Sequence, residues 1–288
     1  LPQVSIVDLR GELKKGNRSV LSMELKQQMD HALKNREQVM LFLNRRGYAG
    51  FVSCRACGHV MKCTHCDVSL SEHNGNRLVC HYCGYEIAKP ESCPSCGSPH
   101  IGGFKAGTQQ IEKVLEKEFP EARVLRMDFD TTRTKDSYEK ILAAFARHEA
   151  DILVGTQMIV KGHDFPDVTL VGVIAADLSL NMDDYHCGER TFQLLTQAVG
   201  RSGRGNKAGH AVIQTYQPEH YSIQAAAIQD YEKFYKEEMM YRMLLDYPPA
   251  AHMMTVFGAC QDEELLKKAM YYIEVFIRRV SPKEELHM

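Results

Sequence analysis

The chain has 288 residues, 44% hydrophobic and 25% charged, with 20 Gly and 10 Pro, proportions that suit a globular protein of about two domains and exclude a disordered or collagen-like chain. Its 35 Lys and Arg stand against 37 Asp and Glu, a formal net charge of -2, so any contact with nucleic acid has to be local. No apolar run reaches membrane length, and no spanning helix is expected.

Basic residues gather from Lys34 to Arg46, a run that reads first as a solvated face. Within it, Gln38 to Asn44 is a short apolar stretch without helical period, which predicts a buried strand. Eight of the ten cysteines follow in four C-x-x-C pairs: Cys54/Cys57, Cys63/Cys66, Cys80/Cys83 and Cys93/Cys96. Disulfides suit small secreted scaffolds, and a thioredoxin-like redox site needs a single pair at a strand-to-helix turn. Neither fits four pairs inside a chain of this size, whereas two tetrahedral zinc ions use eight thiolates.

Loop length predicts which pairs share an ion. Thirteen residues between Cys66 and Cys80 let a ribbon close one site, while five between Cys57 and Cys63 are too few for comfort. The favoured arrangement is nested, Cys63, Cys66, Cys80 and Cys83 on one ion and Cys54, Cys57, Cys93 and Cys96 on the other; a crossed pairing stays open. Gly58, Gly84 and Gly97 follow the second cysteine of three pairs, where a knuckle turns through positive φ and aims N–H groups at sulfur. With eight thiolates supplied, His59, His65 and His81 are expected beside the sites rather than in them, and closed all-cysteine sites are structural.

After the cysteines the pattern becomes strand then helix, repeatedly. Phe104 to Thr108 reads as strand and turn, followed by Ile111, Val114, Leu115 and Phe119 at helical spacing. Val124 to Met127 is a strand, and Tyr138, Ile141, Leu142 and Phe145 mark a helix. Ile152 to Val154 and Leu170 to Ile174 are strands. A helix is expected from Glu189 to Ser202 and a strand from His210 to Tyr216, the rhythm of a mostly parallel sheet covered on both faces. From Tyr231 the order changes to helix, Pro248-Pro249, a strand from Met253 to Cys260 and a helix from Leu266 to Val280, a small α+β unit. Tyr271, Tyr272 and Phe276 read as its core, Asp262-Glu263-Glu264 as a helix start, and Cys187 and Cys260 as ordinary half-buried thiols. Asp183-Asp184 reads as solvated. A start at Leu1 and an end soon after a helix suggest a piece of a longer protein.

In open α/β sheets ligands bind beyond the carboxyl ends of the strands, and three turns there are candidates. Gly107-Thr108-Gln109 opens a helix whose N–H groups favour an anion. Gly155-Thr156-Gln157 leads into Lys161-Gly162-His163-Asp164-Phe165, a set suited to phosphates and ribose. Gln197-Ala-Val-Gly200-Arg201-Ser-Gly203-Arg204-Gly205 presents two guanidinium groups able to clamp a γ-phosphate.

These three segments resemble motifs IV, V and VI of superfamily-two helicases: F-K-A-G-T-Q-Q-I-E, D-I-L-V-G-T-Q-M-I-V-K-G-H-D-F and Q-A-V-G-R-S-G-R. With four C-x-x-C pairs just ahead of motif IV, nearly the whole chain is similar to the primosomal replication-restart helicases. The resemblance implies a RecA-like second helicase lobe (1–50 and 104–230) interrupted by a two-zinc insertion (51–103) and followed by a partial C-terminal domain (231–288). It further implies ATP with Mg²⁺ in the complete protein, 3′-to-5′ movement on DNA, and repair of stalled forks. Arg201, Arg204 and Gln197 would face the triphosphate, Gly162 and Asp164 would touch nucleotide, and Thr108 and Thr156 would grip the tracking strand. Its partners would be forked and single-stranded DNA, primosome proteins and single-strand-binding protein, in the cytoplasm at the nucleoid and on no membrane. A Walker A loop, G-x-x-x-x-G-K-[ST], is absent between Leu1 and Met288, so this chain is expected to be inactive alone. A zinc-ribbon binding module without a motor is the alternative.

Overall fold

The computed structural model describes residues 2–43, 51–73, 75–103, 106–159, 164–182, 184–205, 207–254, 256 and 258–281. The chain divides into two compact units, Leu1–Met240 and Tyr241–Met288. The first begins with β1 (Gln3–Asp8), α1 (Leu9–Lys14), α2 (Met23–Lys34) and β2 (Gln38–Phe42). A cysteine-rich insertion then contributes β3 (Ser53–Cys54), β4 (Ser71–His73), β5 (Arg77–Val79), β6 (Glu86–Ala88) and β7 (Ile101–Gly102). The main unit resumes with α3 (Thr108–Glu118), β8 (Val124–Met127), α4 (Lys135–Ala146), β9 (Ile152–Gly155), β10 (Val168–Val173) and α5 (Asp177–Leu180). It continues through α6 (Cys187–Val199), β11 (His210–Thr215), α7 (Tyr221–Ala227) and α8 (Tyr231–Leu244), and α9 (Glu263–Val280) follows in the second unit.

Six strands form one sheet in the order β1-β11-β10-β2-β9-β8, each neighbouring pair parallel. Alternation along β2 explains how one strand feeds two cores. Met40 and Phe42 point to the face packed by Phe145 of α4 and Phe192 and Leu195 of α6. Val39, Leu41 and Leu43 point to the other, packed by Leu25 and Met29 of α2 and Ile111 and Leu115 of α3. Leu25, Met29 and Ala32 recur at helical spacing, and the Ser22 hydroxyl caps α2 by accepting from the Leu25 N–H. Truncating Leu25, which is fully enclosed, would cost about 2–5 kcal/mol. Gln38 is buried at the start of this otherwise apolar strand because its amide donates to the Phe145 and Ala150 carbonyls at 2.8 and 2.9 Å.

Three expectations change. Phe104 and Lys105 lie outside the described residues, and Ala106 and Gly107 are not strand; β7 lies earlier and pairs antiparallel with β3, because the chain is still leaving the insertion. No described residue between Met253 and Cys260 is in a strand, since no second strand lies alongside to form a ladder. Tyr271, Tyr272 and Phe276 are not core: they are exposed, as is Cys260, and α9 has no buried residue. Asp262 does start α9, accepting from the Leu265 N–H at 3.1 Å.

Candidate functional site

The insertion is built from four copies of one knuckle. In each, the first cysteine's carbonyl accepts from the N–H four residues on: Gly58 to Cys54, Asp67 to Cys63, Gly84 to Cys80 and Gly97 to Cys93, at 2.8–3.1 Å. Each of these four residues has positive φ, from 52° to 80°. Three are the glycines the turn favours; the fourth is Asp67, an aspartate that tolerates the left-handed region, which is why a search for glycine passes over it.

The knuckles bring together Cys54, Cys57, Cys93 and Cys96 in one group and Cys63, Cys66, Cys80 and Cys83 in another, each with its ligand atoms within 4.8 Å of one another. The nested arrangement is the one present. Sulfur to sulfur, Cys54–Cys96 and Cys57–Cys93 are 3.7 Å apart and Cys63–Cys83 is 3.5 Å. These separations are far too long for disulfides, and four bonds of about 2.3 Å to a tetrahedral zinc would set them near 3.8 Å. Backbone N–H groups reach the sulfurs, as His65 does to Cys63 at 3.4 Å, and stabilise the thiolates a metal needs. Burial, followed by the neighbouring sulfurs, pushes the Cys57 thiol up to about 12, whereas at Cys93 burial is outweighed by the backbone N–H groups of Cys96 and Ser95, which hold it down to about 7. Both groups are closed sets of four cysteines that fit structural zinc. His65 sits beside Cys83 at 3.7 Å, and His81 faces His73 at 2.9 Å; neither belongs to a four-cysteine group.

The outer zinc group is seated on the sheet. A side chain at Gly58 would place its Cβ 2.4 Å from the Tyr216 carbonyl oxygen, at the carboxyl end of β11. Arg55 donates to the Tyr216 hydroxyl at 3.0 Å, and Phe51 and Val60 join the core on the α2 side. Beneath them Asp177 is wholly buried, accepting from the Tyr216 N–H and the Thr215 hydroxyl; burial pushes its carboxyl up to about 6 against those donors.

Thr108 and Thr156 lie at the carboxyl ends of β8 and β9. Gly155 closes β9 where a Cβ would stand 2.4 Å from the Met127 carbonyl oxygen, and the Thr156 N–H donates to that oxygen at 3.3 Å. Thr108 is the first residue of α3, capped by Gly107, and is buried with its hydroxyl donating to Asp128. Burial works to raise the Asp128 carboxyl, but donation from Thr108 and Thr131 and the charge of Arg126 outweigh it and hold the group below its usual range. The Thr108 hydroxyl is therefore engaged within the chain, and its N–H belongs to the first turn of α3, where a helix leaves its N–H groups without an intrahelical partner. Asp128 joins these loops; a single aspartate after a strand carries no motif that marks it in the sequence.

Arg201, Arg204 and Gln197 lie elsewhere. The expectation that all three turns share the carboxyl edge is corrected, because α6 runs back against the strands and delivers its end to the amino edge. There the Gly203 N–H donates to the Val168 carbonyl at the first residue of β10, and a Cβ on Gly205 would stand 2.4 Å from the Pro166 carbonyl oxygen. Arg204 donates to the Gly200 carbonyl at 2.7 Å and approaches Asp164 at 3.6 Å. Arg201 is half-buried; burial first and Arg204 second lower its pKa, with Asp164 opposing. Gln197 is exposed one turn earlier on α6. Gly162, Lys161 and His163 lie outside the described residues, as does Asp183. Asp184 is not simply solvated, for it accepts from His186 at 2.9 Å and from Arg190. Burial pushes the Cys187 thiol up to about 11, which keeps it protonated and inert.

Two family descriptions match the chain: the PriA DNA helicase Cys-rich region (CRR) domain over residues 63–87 and the helicase conserved C-terminal domain over 103–206. Curated relatives extend over nearly all of it. The replication restart protein PriA of Bacillus subtilis is 52% identical over 94% of this chain and 33% of its own length. The Synechocystis protein of the same name is 46% identical over 98% and 35%, and that of Thermotoga maritima 37% identical over 96% and 37%. The chain thus spans about a third of the length of the curated relatives it matches. No described helix is long and apolar enough to cross a membrane. Four zinc knuckles in the nested pairing, set into a parallel sheet that bears helicase motifs, and relatives of this identity show that the chain belongs to the PriA family of replication restart proteins, carrying its Cys-rich region and its conserved C-terminal helicase domain.

Proposed function

We propose that this chain supplies the second motor lobe (1–50 and 104–230), the zinc insertion (51–103) and part of a C-terminal domain (231–288) of an ATP-dependent helicase. The motor moves 3′ to 5′ along DNA and remodels stalled forks so that replication resumes. The observation that carries the reading is the end of α6, where Arg201 and Arg204 lie together with the carboxylate of Asp164. Two neighbouring guanidinium groups, Arg201 with its proton affinity lowered first by burial and then by Arg204, suit an incoming anion, and a triphosphate held by a first lobe has the charge to match. Asp164 then releases Arg204 as nucleotide arrives, Gln197 joins the same surface, and Gly162 with Asp164 touches the nucleotide or couples its state to DNA.

At the opposite edge, the N–H groups at the start of α3 beside Thr108 and the hydroxyl of Thr156 suit the phosphates of a tracking strand. With grips on one edge and nucleotide on the other, closure of two lobes is converted into movement along DNA whatever its sequence. Forked and single-stranded DNA are the substrates, primosome and single-strand-binding proteins the partners, and the zinc module is the wedge or docking platform between them. Without a Walker A loop the chain alone turns over no ATP.

The test is DNA-stimulated ATP hydrolysis by the complete gene product. R201A and R204A each lower kcat by about a thousandfold, as expected for arginines that meet transferring phosphoryl charge, while affinity for single-stranded DNA is retained. Wild-type turnover by both variants would overturn the assignment.

A further inference from the structure

Among the described residues, Phe129 is the most exposed of the large apolar side chains, at 79%. It stands in the turn after β8, and that turn is tightly fixed. The Asp128 N–H donates to the Thr131 hydroxyl at 2.9 Å, the Thr131 N–H returns to the Asp128 carboxylate at 3.0 Å, and the Thr132 hydroxyl donates to the Asp128 carbonyl at 2.6 Å. On one side Thr108 donates to the same carboxylate; on the other, Thr156 donates to Met127 and the Thr132 hydroxyl reaches the Met158 sulfur at 3.7 Å. The turn is thus fastened to both threonines assigned to phosphate contact. A phenyl ring kept in water on a rigid mount loses hydrophobic stabilisation with no compensating freedom, and nothing in the packing of the sheet calls for it.

We infer that Phe129 is a stacking platform for a base of single-stranded DNA, placed between the two positions that hold the backbone. Bases lie several ångströms from the phosphates they hang on, so a flat apolar surface flanked by two phosphate-facing turns matches a strand laid across the edge. Every base offers a π-face, so the contact is independent of sequence, as a tracking surface requires. The inference rests on the reading of this edge as the nucleic-acid side.

The test uses the complete gene product loaded with zinc and a poly-dT oligonucleotide carrying one 2-aminopurine. F129A weakens binding about tenfold, in the range measured for loss of one stacked base, leaves the salt dependence unchanged and abolishes quenching of the probe; F129Y and F129W restore both. Because the ring is exposed, zinc content and thermal stability stay at wild-type values in all three. If F129A binds and quenches like wild type while the phosphate-contact variant T156V binds weakly, the stacking role is wrong and the nucleic-acid edge stands. If wild-type protein binds no single-stranded DNA, both fall together.

Discussion

The sheet and the cysteine-rich insertion reach order by different means. The sheet is held by two apolar cores, one on each face, with central strands that are almost wholly buried. The insertion has strands of two or three residues and a small core of Val52, Met61, Val68, Leu70 and Leu78 packed on Cys63 and Cys80. Such strands are below the length that sustains a sheet in water, so the metal supplies what burial cannot. One region is specified by pattern spread over many residues, the other by eight atoms.

Removing the metal breaks the comparison most forcefully. Structural zinc contributes about 10–16 kcal/mol of folding free energy in small domains, so chelation should strip amide protection from residues 51–103 and leave it in β2, β9 and β10, as read by hydrogen exchange. Cys63→Ser should reduce bound zinc from two ions to one. A module that kept its protection without metal would mean that its small core suffices.

A smaller effect is expected where the two regions touch. Gly58→Ala combines a left-handed backbone with a Cβ 2.4 Å from the Tyr216 carbonyl oxygen, and a change of this kind should cost about 2–4 kcal/mol. Both zinc ions remain bound, while the sheet melts earlier; unchanged melting would show that the seating contributes nothing.

The smallest effect concerns pH. His220, which caps α7 by accepting from the Ser222 N–H at 3.2 Å, is lowered to about 4 by burial, with Lys62 of the insertion adding to the shift. A base depressed in the fold is protonated first in the unfolded chain, so its contribution is present above about pH 6.5 and is lost as pH falls towards 4. From pH 6.5 to 5.5 that loss is about 1 kcal/mol. His220→Asn keeps a capping oxygen without titrating and should flatten this part of the stability profile in denaturant unfolding.

Legibility followed the same division. The metal groups were readable because ligand type, spacing and loop length are local, and only Asp67 departed from the glycine rule. Strands such as β9 and β10 were readable because burial on both faces leaves continuous apolar runs. β1 was not read, since its partner β11 lies about 200 residues away in sequence and its ladder is what makes it a strand. The Met253–Cys260 segment failed for the converse reason, having the composition of a strand and, among its described residues, no ladder. At the candidate sites the motifs were visible, but which edge each occupied depended on the direction of α6. Phe129 bears no motif at all, and exposure is a property of the assembled chain.

The pairing of Ser53 with Gly102 and Cys54 with Ile101 gives the insertion a narrow neck, and one zinc group draws its ligands from both sides of that neck. A long excursion between β2 and α3 would ordinarily burden the search for the central pairing of β2 with β9, because loop closure grows costlier with contour length. An ion fastening the neck shortens that contour to the stretches 43–52 and 103–107 on either side of it. Metal uptake then acts on folding speed as well as on stability, and the excursion can lengthen or shrink over evolution without the sheet registering the change.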